Sequence, residues 1–390
     1  MSTSSGTAGA LDVDALLDDR QTRIIVCCGS GGVGKTTTSA ALALRAAERG
    51  RKVVVLTIDP ARRLAQSMGI EQLDNTPRPV PGVGGTESET AGHLDAMMLD
   101  MKRTFDEVVL SQASPEKAQQ ILQNPFYIAL SSSFAGTQEY MAMEKLGQLH
   151  RDAQRSGAYD LIVVDTPPSR SALDFLDAPE RLSSFLDGRF IRLMLAPARG
   201  PARLMSAGFA MVTGALSKVL GGQFLKDLQT FVSALDTVFG GFRARAQQTY
   251  ALLQARGTAF LVVAAPEDDA LREAAYFVER LQGDRMPLAG LVVNRATSSG
   301  HSDLSAAAAT AATERLAGAG SDHADITAGL LRIHADRERL VTRQRTLRQR
   351  FAAAHPQVPA VVVPALAGDV HDLDGLRAVG RLLAETPTER

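Results

Sequence analysis

The sequence predicts an α/β fold in which a doubly wound, mainly parallel sheet carries an inserted helical subdomain. Two observations support this prediction. Short apolar runs rich in β-branched residues recur along the chain, as expected of parallel strands that helices cover on both faces. A glycine-rich loop at residues 29–36 separates the first of these runs from an alanine-rich helical stretch. We expect one domain over residues 21–390, although the length of 390 residues would also accommodate two.

The chain begins with small and polar residues, and residues 1–20 are predicted to form a flexible tail. The first strand is predicted at residues 23–28 and the first helix at residues 35–49. Gly50 follows that helix directly, where glycine commonly provides the left-handed residue that caps a helix. The start of the chain lacks the basic and apolar regions of a signal peptide, and no apolar run is long enough to span a membrane. We therefore expect a cytoplasmic protein without a transmembrane segment.

Five further apolar runs predict strands, and a polar or turn residue follows each of them. The runs lie at residues 53–58, 161–164, 260–263, 291–293 and 361–363. In open parallel sheets, ligands bind at the carboxyl ends of the strands. We therefore expect one crevice to be surrounded by the residues just beyond these runs, which are Asp59, Asp165, Glu267, Asn294 and Pro364.

Two long stretches show helical spacing without a convincing strand. We expect helical insertions at about residues 101–154 and 179–256, and a loop at residues 77–90, which are rich in proline and glycine. The second insertion carries a stripe of methionines among other apolar residues, namely Met194, Met205 and Met211. Methionines can line an adaptable groove for a hydrophobic client, but such a stripe is also typical of an ordinary core.

The composition is that of a globular protein, with 45% hydrophobic residues, 22% charged residues and a formal net charge of −1. This charge gives no support for a nucleic-acid-binding surface, and we expect no nucleic-acid partner. Arginines recur between residues 332 and 350, where a solvated helix face is the main interpretation and a nucleic-acid or membrane patch the alternative. The only two cysteines, Cys27 and Cys28, are adjacent on a predicted strand, so they face opposite ways and favour neither a disulfide nor a metal site.

The glycine-rich loop matches the phosphate-binding pattern G-x-x-x-x-G-K-[ST] between a predicted strand and a predicted helix. Its glycines allow the backbone to turn tightly and to aim N–H groups at nucleotide phosphates. Lys35 would add a positive charge and Thr36 a hydroxyl for magnesium. The predicted nucleotide-binding residues of this loop are Gly31, Gly32, Val33, Gly34, Lys35, Thr36 and Thr37.

Two aspartates at strand ends are candidates for the chemistry of ATP hydrolysis. Asp165 has the setting of the carboxylate that holds Mg²⁺, often through water, in enzymes with such a loop; the alternative is a carboxylate that caps the next helix. Asp59 could orient or deprotonate the water that attacks the γ-phosphate, or it could only form a turn with Pro60. Thr36 and Asp165 would leave most of the magnesium shell to phosphate oxygens and water.

Three segments of the sequence occur together in one known family. They are the loop that ends in Gly34-Lys35-Thr36-Thr37, the run Thr57-Ile58-Asp59-Pro60-Ala61, and the run Val164-Asp165-Thr166-Pro167-Pro168 with Leu173-Asp174-Phe175-Leu176 after it. In these segments the chain resembles the arsenite-pump ATPase and tail-anchored-protein targeting ATPase family, of the deviant Walker A class. MinD, ParA and the nitrogenase iron protein are more distant relatives. The resemblance extends to Asn294 and Pro364, which it implies contact the adenine, and covers the sheet from about residue 23 to residue 383.

The resemblance implies specific roles for the site residues. Lys35 and Thr36 would bind phosphate and magnesium, Asp59 would position the attacking water, and Asp165 would belong to the second switch segment. The catalytic residues would therefore be Lys35, Asp59 and Asp165. Members of the family work as nucleotide-gated dimers or as fused pairs, and hydrolysis reopens a helical surface that handles a client or pump partner.

The sequence departs from the family pattern in three ways. Ser30 stands where the class has a lysine that reaches the nucleotide of the opposite subunit, and a serine cannot supply that charge. Arg62 or Arg63 could substitute for it, or both could simply begin a helix. The CxxC zinc motif of the targeting members is missing after Asn294, and no set of cysteines is available to bind arsenite.

The sequence therefore predicts a magnesium-dependent switch ATPase that binds ATP and ADP, acts as a homodimer or as a heterodimer with a paralogue, and couples nucleotide state to a hydrophobic client or membrane-protein partner. Two alternatives remain open. One is a regulatory subunit with weak intrinsic turnover that pairs with a lysine-bearing paralogue, for which Ser30 is the supporting feature. The other is a positioning ATPase of the MinD or ParA kind, although residues 373–390 show neither a clear membrane-targeting helix nor a clear basic surface.

Overall fold

A mainly parallel sheet of eight strands forms the centre of the part of the chain that the structure describes. The structure is a computed structural model, and the residues it describes are 9–59, 63–84, 92–125, 127–128, 131, 137–167, 241–298, 303–316 and 322–385. The strand order is β3-β4-β2-β5-β1-β6-β7-β8, and only β3 runs antiparallel to its neighbour. The strands are β1 (Ile24–Cys28), β2 (Lys52–Thr57), β3 (Arg78–Pro79), β4 (His93–Met98), β5 (Leu161–Asp165), β6 (Thr258–Ala264), β7 (Leu288–Ala296) and β8 (Ala360–Pro364).

Helices cover both faces of this sheet, which confirms the predicted doubly wound α/β fold. Within the described ranges they are α1 (Val13–Asp18), α2 (Lys35–Glu48), α3 (Arg63–Ser67), α4 (Met101–Gln112), α5 (Pro115–Leu122), α6 (Thr137–Ser156), α7 (Phe242–Gln254), α8 (Asp268–Gly283), α9 (Ala306–Leu316), α10 (Asp322–Ala354) and α11 (Leu373–Ala384). Gly50 lies just beyond α2 with a φ of 84°, as predicted for a helix-capping glycine. None of the described helices combines the length and the apolar character that crossing a membrane requires.

Two hydrophobic cores lie on the two faces of the sheet, and the adjacent cysteines of β1 show the division. Cys27 is buried in the core that contains the alanine-rich face of α2 together with residues of α1 and α11. Cys28 is buried in the other core, which contains residues of α4, α6, α7 and α8. Both thiols are free, as the alternation of side chains along a strand predicts. Every residue of β1 and β5 is buried, and these two strands are neighbours in the middle of the strand order.

The amino-terminal segment differs from the predicted tail over residues 1–20. From Ala10, which bridges to Ala360 beside β8, the chain is ordered into α1, and Leu17 of that helix is fully buried. Arg51, which is 1% exposed, is one of the residues that hold this segment. Its guanidinium donates to the carbonyl oxygens of Leu17 at 3.1 Å and Thr22 at 2.7 Å, which fixes the segment that follows α1.

Sequence patterns missed two strands at one edge of the sheet. The first, β3, lies inside the predicted loop at residues 77–90, and the second, β4, follows that loop. In β4, His93 and Asp95 are only half-buried, since the strand lies near the sheet edge and shows one face to a more polar environment. The sequence of β4 therefore lacks the continuous apolar run from which the other parallel strands were predicted.

At about residues 101–154, where a helical insertion was predicted, the structure describes α4, α5 and α6. Of the second insertion, at about residues 179–256, the structure describes only the part that contains α7; Met194, Met205 and Met211 lie outside the described residues. A buried ion pair joins α6 to α7, because Arg245 Nε lies 3.0 Å from both carboxylate oxygens of Glu144. The side chain of Glu144 is only 2% exposed, so this pair fastens α6 of the first insertion to α7 of the second.

Candidate functional site

The glycine-rich loop connects β1 to α2, in the predicted strand–loop–helix arrangement. Gly29, Gly32 and Gly34 have φ values of 151°, 77° and 93°, which residues with a Cβ atom rarely adopt. A Cβ on Gly29 would lie 2.1 Å from the carbonyl oxygen of Val263 in β6, and one on Gly34 would lie 2.3 Å from Nδ2 of Asn294. The loop is therefore held tightly between its own turn and two neighbouring strands, and both positions require glycine.

Lys35 begins α2 and is 5% exposed. Its ammonium group donates a hydrogen bond of 2.8 Å to the carbonyl oxygen of Ser30, across the loop. Burial lowers the pKa of Lys35, while the negative charges of Asp165 and Asp59 act in the opposite direction. This lysine is thus held at the loop with two carboxylates nearby, and its role in binding phosphate stays a prediction.

A cluster of three side chains, which we call the strand-end cluster, joins the loop to β2 and β5. Asp165 is fully buried at the end of β5, and its Oδ2 accepts hydrogen bonds from Thr36 Oγ1 at 2.8 Å and from Thr57 Oγ1 at 2.9 Å. Burial raises the pKa of Asp165 to about 6, although the two hydroxyls and the charge of Lys35 each lower it. Asp165 is therefore a carboxylate whose charge is poorly compensated in this structure.

The strand-end cluster fits a magnesium site. The second carboxylate oxygen of Asp165, Oδ1, is buried and has no hydrogen-bond partner among the described residues. Mg²⁺ prefers oxygen ligands, keeps several of its waters and is commonly bound through one or two carboxylates. A water of a hydrated cation would satisfy Oδ1, and the positive charge would favour the ionised carboxylate that burial disfavours.

Asp59 lies two residues beyond the end of β2 and is half-buried. The Thr57 hydroxyl that binds Asp165 also lies 3.4 Å from the carbonyl oxygen of Asp59, so the same threonine fixes the backbone at this strand end. The negative charge of Asp59 raises the pKa of Lys35 and also raises the pKa of Asp165. The carboxylate of Asp59 therefore acts on the same two charged groups of the site. Arg63 is exposed at the start of α3, and Arg62 lies outside the described residues.

A second group of contacts, which we call the β7 turn, reaches the loop from the other side. Asn294 is 8% exposed and donates a hydrogen bond of 2.9 Å from Nδ2 to the carbonyl oxygen of Val33. The next residue, Arg295, donates a hydrogen bond of 2.9 Å from Nη1 to the carbonyl oxygen of Gly32. Asn294 was predicted to lie at the crevice, and the structure places it against the loop backbone.

The remaining predicted residues lie at neighbouring strand ends. Pro364 ends β8 and is half-buried, and the N–H of the following Ala365 donates to the carbonyl oxygen of Ala296 at 2.9 Å, which ties this end to β7. Glu267 is exposed and immediately precedes α8. In the described part of the chain, neither side chain has a hydrogen bond to the glycine-rich loop. The side chains that do bind the loop from these strand ends include Asp165, Asn294 and Arg295.

Sequence reasoning missed two residues of this site. Thr57 lies in the quoted run that contains Asp59, and its hydroxyl could have been recognised as a partner for a carboxylate at the end of the adjacent strand. Arg295 follows a predicted site residue, but its contact with Gly32 joins positions 263 residues apart, and no spacing in the sequence indicates it.

Comparison with known proteins connects this geometry to one group of ATPases. A profile described as anion-transporting ATPase matches residues 22–314. The chain is 30% identical to an arsenical pump-driving ATPase of Escherichia coli over 161 residues, which cover 41% of this chain and 26% of that protein. It is 31% identical to an uncharacterised protein of Streptomyces coelicolor over 50% of this chain and 47% of that protein. It is 27% identical to the ATPase GET3 of Podospora anserina over 286 residues, which cover 73% of this chain and 76% of that protein.

Proposed function

The chain belongs to the anion-transporting ATPase family, whose profile covers most of it, and from this membership we propose that it is a magnesium-dependent ATPase that works as a dimeric switch. The matched segments span about a quarter and about half of the bacterial relatives, 26% and 47%, so the activity of those whole proteins is transferred only as part of this proposal. The observation that carries the proposal is the hydrogen bond between Thr36 and the buried Asp165, at the start of α2.

The loop would bind ATP through its backbone N–H groups, with Lys35 as a charge for the phosphates. Thr36 and Asp165 would hold Mg²⁺, the latter through water, and the ion would neutralise charge on the phosphate oxygens. Asp59 would orient the attacking water, because it follows β2, the strand beside the one that ends at Asp165. Asn294 and Pro364 are proposed to line the adenine side of the same crevice.

Hydrolysis is proposed to change the way in which the protein holds its partner. The family resemblance supports a homodimer or a heterodimer with a paralogue, in which nucleotide binding changes how a hydrophobic client or a membrane-protein partner is held. We propose that residues 21–390 form one such unit and that the protein acts in the cytoplasm. A regulatory subunit with weak turnover is the second candidate, and Ser30 favours it, since no cation stands at that position of the loop.

The test is ATP binding and ATP hydrolysis by the purified full chain with magnesium. Lys35→Ala is expected to weaken ATP binding by about 100-fold, because a buried charge-assisted contact to phosphate is lost. Lys102→Ala is the matched control, since the Lys102 side chain is 50% exposed and, among the described residues, its ion pair is with Asp106 on the surface of α4. Absence of ATP binding by the wild-type protein, or unchanged binding by Lys35→Ala, would overturn the proposal.

A Ser30→Lys variant separates the two candidates. An active wild-type protein that gains nothing from this substitution is a self-sufficient ATPase. A wild-type protein that binds ATP but hydrolyses it only after the substitution, or after a lysine-bearing paralogue is added, is a regulatory subunit.

A further inference from the structure

The β7 turn has an unusual backbone. Arg295 has a φ of 59°, in the left-handed region that residues other than glycine rarely occupy. The register of β7 with β8 also shifts between Val293 and Ala296, so the bulge lies at the two residues that contact the loop. Strain of this kind persists only where the surrounding structure enforces it, and it is concentrated at functional sites.

The strained turn aims two consecutive side chains at two consecutive carbonyl groups. Asn294 binds the carbonyl oxygen of Val33, and Arg295 binds that of Gly32, each at 2.9 Å. The two arrangements differ in burial, because Asn294 is buried whereas Arg295 is exposed. The Asn294 amide binds the loop backbone. The exposed guanidinium of Arg295 has five N–H donors, and the Gly32 carbonyl accepts from one of them.

Arg295 also differs from two buried or partly buried arginines of the same fold in its charge partners. Arg51 and Arg45 are each bound to a carboxylate, Asp160 and Asp14 respectively. Within the described residues Arg295 has no ion pair, and its one hydrogen bond is to the loop. A positive charge is therefore fixed at the edge of the phosphate-binding loop without a negative side chain to neutralise it.

The charges of the site explain why such a cation would be useful. The loop itself contributes Lys35, whose ammonium is already bound to the Ser30 carbonyl, and Ser30 is uncharged. Asp59 and Asp165 add negative charge beside it. A nucleoside triphosphate carries more negative charge than one magnesium ion and one lysine can neutralise, and planar guanidinium groups suit phosphate oxygens.

We infer that Arg295 is a phosphate-binding residue that supplies a second cation to the polyphosphate of the bound nucleotide while it holds Gly32 in place. This inference rests on the proposed ATP binding and deepens it. It assigns to Arg295 a preference for the nucleotide with more phosphate charge, which a residue that only braced the loop would not produce.

The test compares Arg295→Gln with the wild-type full chain in binding ATP, ADP and AMP. Glutamine keeps an N–H donor for the Gly32 carbonyl but removes the charge. We expect about a tenfold loss of ATP affinity, a smaller loss for ADP and no change for AMP, since the contact is charge-assisted. Arg285→Gln is the matched control, because Arg285 is also exposed, has a φ of 56° and precedes the opposite end of β7.

Equal losses for all three nucleotides, or no loss for any, would overturn the assignment. A wild-type protein that binds no nucleotide would instead overturn the proposed function, so the two failures are distinguishable. A second measurement needs no substitution: ATP should protect Arg295 of the wild-type chain from modification by phenylglyoxal, AMP should not, and Arg285 should be modified equally throughout. Equal modification of Arg295 with and without ATP would also contradict the inference.

Discussion

The phosphate-binding loop is contacted from two sides, and the two sides are built differently. The strand-end cluster binds the helix side of the loop through side chains, with Asp165 fully buried between the hydroxyls of Thr36 and Thr57. The β7 turn binds the backbone of the loop, because the side chains of Asn294 and Arg295 donate to the carbonyl oxygens of Val33 and Gly32. A carboxylate among hydroxyls responds to a cation, whereas an amide and a guanidinium on carbonyls fix the shape of the loop.

The charged groups that would act in hydrolysis and the groups that hold the loop backbone therefore lie at the ends of different strands. Residues at the ends of β2 and β5 carry the charges that would act in hydrolysis. Residues at the end of β7 hold the backbone that would receive the phosphates. Substitutions on one side should therefore change different measurements from substitutions on the other.

The largest effect is expected from Asp59→Asn, on the chemical side. We expect kcat for ATP hydrolysis to fall by about 100-fold to 10,000-fold with ATP affinity nearly unchanged, because a carboxylate that orients or deprotonates water is lost. Asn294→Ala, on the other side, should mainly weaken nucleotide binding. The comparison fails if Asp59→Asn lowers binding and turnover equally, since Asp59 would then be structural.

Next in size is the effect of Gly29→Ala on stability. The added methyl group would meet the Val263 carbonyl oxygen at 2.1 Å, and a backbone atom cannot rotate away. We expect the free energy of unfolding to fall by at least about 3 kcal/mol, from overpacking and backbone strain together.

The control is Gly157→Ala, because Gly157 has a φ of 65° but no atom within 4 Å of an added Cβ. It should lose only about 1–2 kcal/mol, the cost of the left-handed conformation. Urea unfolding of both variants measures the difference. Equal losses would show that the close approach of the loop to β6 has no energetic consequence.

A smaller effect should connect the loop to the β7 turn. Gly34→Ala would place a methyl group 2.3 Å from Nδ2 of Asn294, a side-chain atom that can move. We expect a loss of about 2 kcal/mol in the free energy of unfolding, of which Asn294→Ala in the same chain restores about 1 kcal/mol. A double-mutant cycle by urea unfolding measures this coupling. Strict additivity of the two substitutions would mean that Asn294 does not restrain the loop.

An effect of similar size is a change in how stability depends on pH. Because burial raises the pKa of Asp165 from 3.8 to about 6, the folded protein binds more protons than the unfolded chain between these values. Its contribution to stability is complete below the lower value and is lost as the pH rises through the higher one. Asp165→Asn cannot ionise, so without nucleotide it should be more stable than wild type near pH 7, by on the order of 2 kcal/mol.

Asp14→Asn provides a control of opposite sign. The hydrogen bond from Arg45 lowers the pKa of Asp14, so this carboxylate stabilises the fold above its ordinary pKa and loses that effect as the pH falls. The substitution should therefore destabilise the protein near neutral pH. Thermal unfolding of both variants across the acidic range measures the two trends, and parallel curves for Asp165→Asn and wild type would contradict the account of Asp165.

Much of the fold could be predicted because its central strands are covered on both faces. Such strands appear in the sequence as continuous apolar runs, and the six that were predicted are all present in the sheet. β4 was missed because its partly exposed position allows His93 and Asp95 to alternate with apolar residues. α1 was missed because a short helix has little periodicity, and its position depends on Arg51, which is distant in the sequence.

The site could be predicted in its residues but not in its contacts. The loop motif indicates Lys35 and Thr36 through local spacing, and the structure places both beside Asp165. The contact of Asn294 with Val33 joins positions 261 residues apart, so it depends on the order of strands rather than on any motif. Their assigned roles in catalysis and nucleotide binding stay predictions that the variants above address.

The buried guanidinium of Arg51 also has a consequence for the order in which the chain becomes fixed during synthesis. An isolated helix of six residues, the length of α1, is unstable in water. Arg51 holds the segment after it, but Arg51 itself is bound by Asp160, which lies 109 positions further along the chain. The amides of α1 should therefore remain exchangeable until the residues leading into β5 have emerged from the ribosome. Pulse-labelling of its amides on stalled nascent chains would show protection appearing only when Asp160 is free to reach Arg51.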